Sequence, residues 1–165
     1  MSTRHIASLP TAPDPATAPP EHRPGAQVES FRAICPAAGP VIACGVLLIG
    51  IKLSLTLLGF ARTRRLVEAH TRRPPAFPPV PMGRVAELER VVALAAAFYP
   101  GRALCLEQSL ALHTLLRREG VVSRLRLGVQ PHPFAAHAWV EVEGAPVNDV
   151  VEHVRHFTAF PDAFP

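Results

Sequence analysis

The sequence contains few of the residues on which several common classes of function depend. Among its 165 residues are three cysteines, one tryptophan and one tyrosine. Because Cys35, Cys44 and Cys105 are odd in number and widely spaced, they do not suggest a disulfide framework, and they suit a reducing compartment. The chain has no CxxC pair, which argues against a structural zinc site. It also has few aromatic residues for stacking on bases, so the net charge of +4 does not by itself predict a nucleic-acid partner.

The N-terminal part of the chain is rich in proline and poor in large apolar side chains. Residues 1–24 cannot bury enough apolar surface to offset the entropy lost on ordering them. No apolar signal-peptide core follows Met1, so ordinary secretion is not expected. The sequence therefore predicts a disordered, proline-rich tail over residues 1–30 and a cytoplasmic protein.

An apolar run, VIACGVLLIGIKLSLTLLGF over residues 41–60, is about as long as a membrane-spanning helix. Lys52 lies near its middle, where a charge costs about 3 kcal/mol on insertion scales. On a helical wheel Leu48 and Ile51 fall on an apolar stripe and Lys52 on a more polar one, a pattern typical of a helix packed on a domain. We therefore expect an apolar helix over residues 31–71 that packs on the domain or lies at a membrane surface. A true span by residues 41–60 is not favoured.

Proline and glycine mark the boundaries of the remaining elements, and a break in the first helix is expected near Gly59. The segment RRPPAFPPVP predicts a stiff linker, since runs of proline cannot continue a helix. After this linker, the apolar residues first have the spacing of helices and then alternate with polar residues, as they do in strands. Helices before strands indicate an α+β fold with a small antiparallel sheet. The predicted parts are a linker over 72–81 and a core over 82–165, with helices at 84–99 and 104–119 and strands at 124–130, 137–142 and 146–151.

Cys105, at the start of the last predicted helix, has the position of a nucleophile, because the positive end of the helix dipole favours a thiolate. Such a cysteine needs a histidine base within hydrogen-bond reach, and the histidine needs an acceptor that orients it. His137 opens a predicted strand and Asp149 lies on the next, so a helix start against the sheet would bring the three together. The alternative for Cys105 is a buried, inert thiol, which is also what we expect of Cys44.

The histidine and the acid have rivals elsewhere in the sequence. His137 could bond only to the backbone, with His132 or His113 as the base. Asp149 could be a turn residue, with its neighbour Asn148 as the orienting group. The residues alone leave these alternatives open.

Three linked stretches, CL..SLAL..LLRR.G, L.LGV and AHAWVE..G..VND, occur in this order between Arg84 and Val151. They resemble the transglutaminase-like leader peptidases of lasso-peptide biosynthesis, the protease component often called the B protein. The resemblance implies a papain-like cysteine-protease core in which Cys105 is the nucleophile, His137 the base and Asp149 the orienting acid. It implies removal of the leader from a ribosomally made lasso-peptide precursor, with no metal or organic cofactor.

The resemblance also implies partners. Such peptidases act on a precursor peptide together with a small leader-recognition domain, fused or separate, and with an ATP-dependent cyclase that resembles asparagine synthetase. Residues 1–81 show no succession of strands and helices that predicts the recognition domain, so we expect a separate leader-recognition protein. Two alternatives to the peptidase are a transglutaminase-like enzyme that exchanges amides with the same triad and a non-catalytic interaction module.

The loop between the last two predicted strands bears on whether His137 and Asp149 can meet. Side chains on paired strands share a face only when their residues are opposite or offset by an even number. A two-residue turn would pair Ala138 with Asp149 and point His137 to the other face. A three-residue loop over residues 142–144 would pair His137 with Asp149 and give Gly144 a positive φ. We therefore expect the three-residue loop.

Overall fold

In the computed structural model, which describes residues 38–101 and 103–161, three long helices precede a small antiparallel sheet. The α+β prediction is confirmed. The tail predicted over residues 1–30 lies outside the described residues, as does the beginning of the helix predicted over 31–71. In chain order the elements are α1 (Ala38–His70), α2 (Met82–Ala97), α3 (Cys105–Arg118), β1 (Ser123–Gln130), β2 (Ala135–Val142), β3 (Ala145–Pro146), α4 (Val151–Val154) and β4 (Thr158–Ala159).

Helix α1 is broken at Gly59, as the sequence predicted. This glycine has φ 77 and ψ 172, a backbone conformation outside the helical region that a residue without a Cβ adopts readily. The hydroxyl of Thr63 donates to the carbonyl of Gly59 at 2.9 Å, and its oxygen also lies 2.8 Å from Oγ of Ser54. The hydroxyl groups therefore join the two halves of α1 across the break.

The inner face of α1 packs against α2 and α3. Cys44, Leu48 and Ile51 on this face are buried in the hydrophobic core. Burial raises the pKa of the Cys44 thiol to about 11, so this thiol stays protonated at neutral pH. Cys44 thus has the character of a small apolar side chain, as the sequence predicted.

The outer face of α1 is also apolar. By length and composition, α1 is the one helix among the described residues that could cross a membrane, with a mean hydropathy of 2.4 over an 18-residue window. Core helices of soluble proteins meet the same criterion but are mostly buried, whereas 17% of this window is buried inside the protein. The exposed apolar side chains recur every three or four residues: Ile42, Val46, Ile49, Leu53 and Leu57.

Helices α2 and α3 bury the faces that their apolar spacing predicts. Each large side chain that is removed from water here contributes roughly 1.5–3 kcal/mol to folding. Two β2 side chains complete the core from the other side. The buried core residues are Val85, Leu88, Val91, Val92 and Ala95 on α2, Leu110, Ala111, Leu112 and Leu116 on α3, and Val140 and Val142 on β2.

The sheet has the strand order β3-β2-β1-β4, and every neighbouring pair is antiparallel. The long β1–β2 pair was predictable from its alternation, although each strand begins slightly earlier than predicted. β3 ends at Pro146 and not at residue 151, because the N–H of Val140 donates to the side chain of Asn148 and not to the backbone of the facing strand. β4 has two residues, too few to produce a recognisable alternation.

The loop after β2 has two residues, so the prediction of a three-residue loop is wrong. Val142 pairs with Ala145, which leaves Glu143 and Gly144 as the turn. Their φ values are 53 and 83, and two successive positive φ values are typical of a type I′ turn. The twist of this turn matches that of the paired strands, which explains why a non-glycine residue accepts the first position. The positive φ predicted for Gly144 is confirmed.

A buried histidine in α3 makes the stability of the fold depend on pH. His113 is 6% exposed, and its Nδ1 lies 2.9 Å from Oγ of Ser123. Burial, and secondarily the charge of Arg117, lowers the pKa of His113 from 6.5 to about 4. The unfolded chain therefore binds a proton between these pH values that the folded protein does not, so stability falls as the pH falls from 6.5 to 4.

We expect this one group to remove about 3 kcal/mol of unfolding free energy across that range. The measurement is urea unfolding between pH 7 and pH 4, with His113→Asn as the matched control that keeps a polar atom near Nδ1 but does not titrate. The variant should be less stable at pH 7 and lose less stability on acidification. Equal pH slopes for the two proteins would contradict the assignment.

Candidate active site

Cys105 is the first residue of α3, and the helix start that carries it is held by a buried carboxylate. Leu104 precedes the helix with an extended backbone, and its N–H donates to Oε2 of Glu107 at 2.8 Å. Glu107 thereby binds one of the backbone donors left free at a helix start. Cys105 is partly exposed, in contrast to Cys44. Its sulfur thus combines accessibility with the helix position that favours a thiolate.

A cavity of about 420 Å³ opens beside this helix start. Cys105 from α3 and His137 from β2 both line it, so the structure brings two of the three predicted site residues to one cavity. The rest of the wall comes from the segment before α3, from α3, from the strand residue next to His137 and from one residue after β3. The lining residues are Ala103, Leu104, Cys105, Gln108, His137, Ala138 and Asn148.

His137 is oriented by Asp149, the third predicted residue. Its Nε2 lies 2.6 Å from Oδ2 of Asp149, and each side chain is 16% exposed. Since Nε2 is used in this contact, Nδ1 is the ring nitrogen that remains to exchange a proton with Cys105. This arrangement of base and orienting acid is the one that a cysteine nucleophile requires.

Asp149 is held as a carboxylate. Burial raises the pKa of its carboxyl group, but hydrogen bonds from His153, from the backbone N–H of Val150 and from His137 outweigh that effect, so the pKa lies below its ordinary value. The other oxygen, Oδ1, accepts the N–H of Val150 at 2.7 Å. A fixed negative charge beside His137 stabilises the imidazolium that proton transfer from a thiol would create.

Asp149 reaches His137, despite the two-residue turn, because strand pairing stops before it. If the ladder continued, Asp149 would point to the other face. The N–H of Val147 still donates to the carbonyl of Val140 at 3.0 Å. The N–H of Val140, however, donates to the side-chain Oδ1 of Asn148 at 2.8 Å. The side chain of Asn148 thus ends the ladder and frees the next residue from the alternation of the strand.

Asn148 is therefore part of the scaffold and not the group that orients His137. Its Nδ2 donates to Oγ of Ser109 at 2.9 Å, and the Ser109 hydroxyl donates to the carbonyl of Ala138 at 2.9 Å. Ser109 lies one helical turn after Cys105, and Ala138 is next to His137. This chain of hydrogen bonds fixes the helix that carries the thiol against the strand that carries the imidazole.

Aromatic rings enclose His137 on the sheet. The ring of Trp139 is stacked at 6.0 Å between centroids, and that of Phe157 lies at 5.1 Å. Gly128 pairs with His137 across β1 and β2. A Cβ at Gly128 would lie 2.9 Å from Cβ of Phe157 and 3.0 Å from the Trp139 ring, so glycine makes room for both. Trp139 is buried, but it packs on His137 and lies outside the core cluster to which Val140 and Val142 belong.

The rival histidines lie elsewhere. His113 is buried against Ser123 and lines a different cavity, which does not include Cys105. His132 is exposed in the turn between β1 and β2, where its backbone carbonyl accepts a bond from Gln130. Neither side chain lines the cavity beside Cys105.

One cluster of the described residues has a spacing that a metal ion could bridge. The ligand atoms of His137, Asp149 and His153 lie within 4.8 Å of one another. Both histidines already contact Oδ2 of Asp149, His137 at 2.6 Å and His153 at 2.8 Å. Hydrogen bonding thus accounts for the spacing of the cluster.

Three residues of this region were not predicted from the sequence. Gln108 lines the cavity, and its Nε2 donates to the carbonyl of Ala103 at 2.9 Å. Ser109 links α3 to β2, and His153 contacts Asp149 from α4. The spacing of Ser109 from Cys105 could have indicated its position, since residues four apart on a helix share a face.

A sequence model of the transglutaminase-like superfamily matches residues 47–161, well over half of the chain. The chain therefore belongs to this superfamily, and the match includes most of α1 as well as the segment that carries the site. Among curated proteins, it is similar to the microcin J25-processing protein McjB of Escherichia coli, with 42% identity over 45 residues. That alignment covers 27% of this chain and only 22% of the relative's length. No solved structure gave a significant match.

Proposed function

We propose that this protein is a cysteine peptidase that removes the leader from a ribosomally made lasso-peptide precursor. The observation that carries the proposal is the arrangement of Cys105, His137 and Asp149. The first two share a cavity, and the last two are in contact at 2.6 Å. Membership of the transglutaminase-like superfamily and the similarity to a microcin-processing protein support the same reaction class and pathway.

The first half of the reaction is acyl transfer to sulfur. The thiolate of Cys105 attacks the carbonyl carbon at the leader–core junction, which forms a C–S bond and places the negative charge on oxygen. The N–H of Cys105 stabilises this oxyanion, and Gln108, whose amide keeps one N–H beyond its bond to Ala103, is our candidate for the second donor. His137, as imidazolium, protonates the leaving nitrogen, the C–N bond breaks, and the core peptide departs as a free amine.

The second half is hydrolysis. Neutral His137 accepts a proton from water, and the resulting hydroxide attacks the thioester between the leader and Cys105. The C–S bond breaks, which releases the leader as a carboxylic acid and restores the thiolate and the imidazolium. Asp149 keeps its charge throughout and stabilises each imidazolium state. The free amine of the core is the nucleophile that a cyclase of the asparagine-synthetase type needs.

The direct test is incubation of the protein with precursor peptide in ¹⁸O-labelled water, followed by mass spectrometry. Hydrolysis yields a core peptide lighter than the precursor by the leader and a leader with one ¹⁸O in its new carboxyl group. Amide exchange would instead yield a product in which an amine has replaced ammonia, with no label. An unchanged precursor, with the partner described next present, would favour the non-catalytic module.

We also propose that a separate leader-recognition protein presents the precursor. Binding of the leader by a partner raises the local concentration of the scissile bond, so adding the cognate leader-recognition protein should increase the cleavage rate by about tenfold or more at low precursor concentration. A precursor without the recognised part of its leader is the control and should gain nothing. Full activity of the protein alone, unchanged by the partner, would contradict this arrangement.

A further inference from the structure

The carboxylate that orients His137 has a second histidine bound to it. Nδ1 of His153 lies 2.8 Å from Oδ2 of Asp149, the same oxygen that contacts Nε2 of His137 at 2.6 Å. His153 belongs to the one-turn helix α4, four residues after Asp149. The carboxylate thus has donors on both oxygens, with Val150 N–H on Oδ1.

The two histidines also differ in their position relative to Cys105. His137 lines the cavity beside the thiol, whereas His153 does not. The side chain of His153 is 49% exposed, and its ring lies 4.9 Å from that of His137 and 5.3 Å from that of Phe157, measured between centroids. His153 can therefore act on the reaction only through Asp149 or through contact with the His137 ring.

We propose that His153 is a positioning residue that holds the Asp149 carboxylate in place for His137 by donating from Nδ1. This inference rests on the proposed peptidase function for its role in turnover, but its effect on Cys105 is independent of the substrate. Among the described residues, the donors to Asp149 that remain without His153 are the Val150 N–H and His137 itself, and the carboxylate can rotate away from the imidazole. The rate at which the Cys105 sulfur reacts with an electrophile then falls.

Three substitutions separate the hydrogen bond from ring packing. His153→Ala removes both, His153→Asn keeps an amide N–H near the position of Nδ1, and His153→Phe keeps a ring but no donor. We expect Ala and Phe each to lower kcat for leader removal by about tenfold, the value of one hydrogen bond to a charged group, with KM unchanged. Asn should recover most of the wild-type kcat. The control is His156→Ala, which removes a nearby exposed histidine and should match wild type.

A second readout is the rate at which iodoacetamide alkylates Cys105, followed by peptide mapping so that other cysteines do not contribute. The alkylation rate should fall in His153→Ala and His153→Phe and recover in His153→Asn, in the same order as kcat. If Cys105 of the wild-type protein is alkylated rapidly but the protein cleaves no precursor, the peptidase proposal fails. The role of His153 is then still tested by the alkylation rate. The inference would be overturned if His153→Ala had the kcat and the alkylation rate of the wild-type protein. It would also be overturned if His153→Phe recovered both quantities and His153→Asn did not.

Discussion

Replacement of Cys105 with alanine is expected to abolish leader removal and to leave the fold intact. The loss should be roughly 10⁴-fold or more, because the members of a catalytic unit fail together when one is removed. Cys105 is partly exposed at the first position of α3, and alanine is a good helix former, so neither packing nor helix stability should suffer. Cleavage is followed by mass spectrometry of the precursor, and folding by circular dichroism and thermal unfolding.

The matched control is the same substitution at another cysteine. Cys44→Ala changes a buried thiol in α1 that lies outside the cavity, so it should cost some stability and leave cleavage unchanged. Cleavage by Cys105→Ala at a rate close to that of the wild-type protein would remove the nucleophile from the proposed mechanism.

Replacement of His137 with alanine should be similarly severe, again by several orders of magnitude, roughly 10³-fold at least. The thiol then has no neighbouring base, and the leaving amine has no acid. His132→Ala is the control of matched chemistry and should have a mild effect, because His132 lies in the exposed turn away from Cys105. His113→Ala should also retain activity at neutral pH, although it will lower stability by opening a cavity in the core.

The outcome of these three histidine substitutions identifies the base. If His132→Ala were inactive and His137→Ala active, the roles assigned to these side chains would be wrong. Equal, partial losses in all three variants would indicate a general effect on folding, which thermal unfolding of each variant would reveal.

Much of the fold could be predicted from local patterns. The break of α1 at Gly59, the apolar faces of α2 and the alternation of β1 follow from properties of neighbouring residues, so a sequence contains them directly. The length of the turn between β2 and β3 could not be predicted from local patterns. Glu143 is an unfavourable residue for a positive φ, and its conformation is stabilised by the twist of strands that only the folded sheet provides.

The candidate site also has a part that local sequence patterns predict and a part that depends on the folded structure. Cys105, His137 and Asp149 stand in recognisable sequence patterns, and the structure brings His137 and Asp149 into contact. The reasoning about strand parity failed because it assumed that β3 continues to Asp149. The side chain of Asn148 ends the ladder instead, and it does so by bonding to Val140 and to Ser109, which is 39 residues away in sequence. Such contacts depend on tertiary packing and leave no local pattern.

The central claim is that Cys105, activated by His137 and Asp149, forms a thioester with the leader. The most direct measurement is acid quenching of the protein mixed with excess precursor and the leader-recognition protein, followed by intact-mass and peptide-mapping spectrometry. We predict a transient adduct with the mass of the leader less one water, located on the peptide that contains Cys105 and absent from Cys105→Ala and His137→Ala. Complete release of the leader with no adduct on Cys105 at any quench time, and with undiminished cleavage by Cys105→Ala, would contradict the claim.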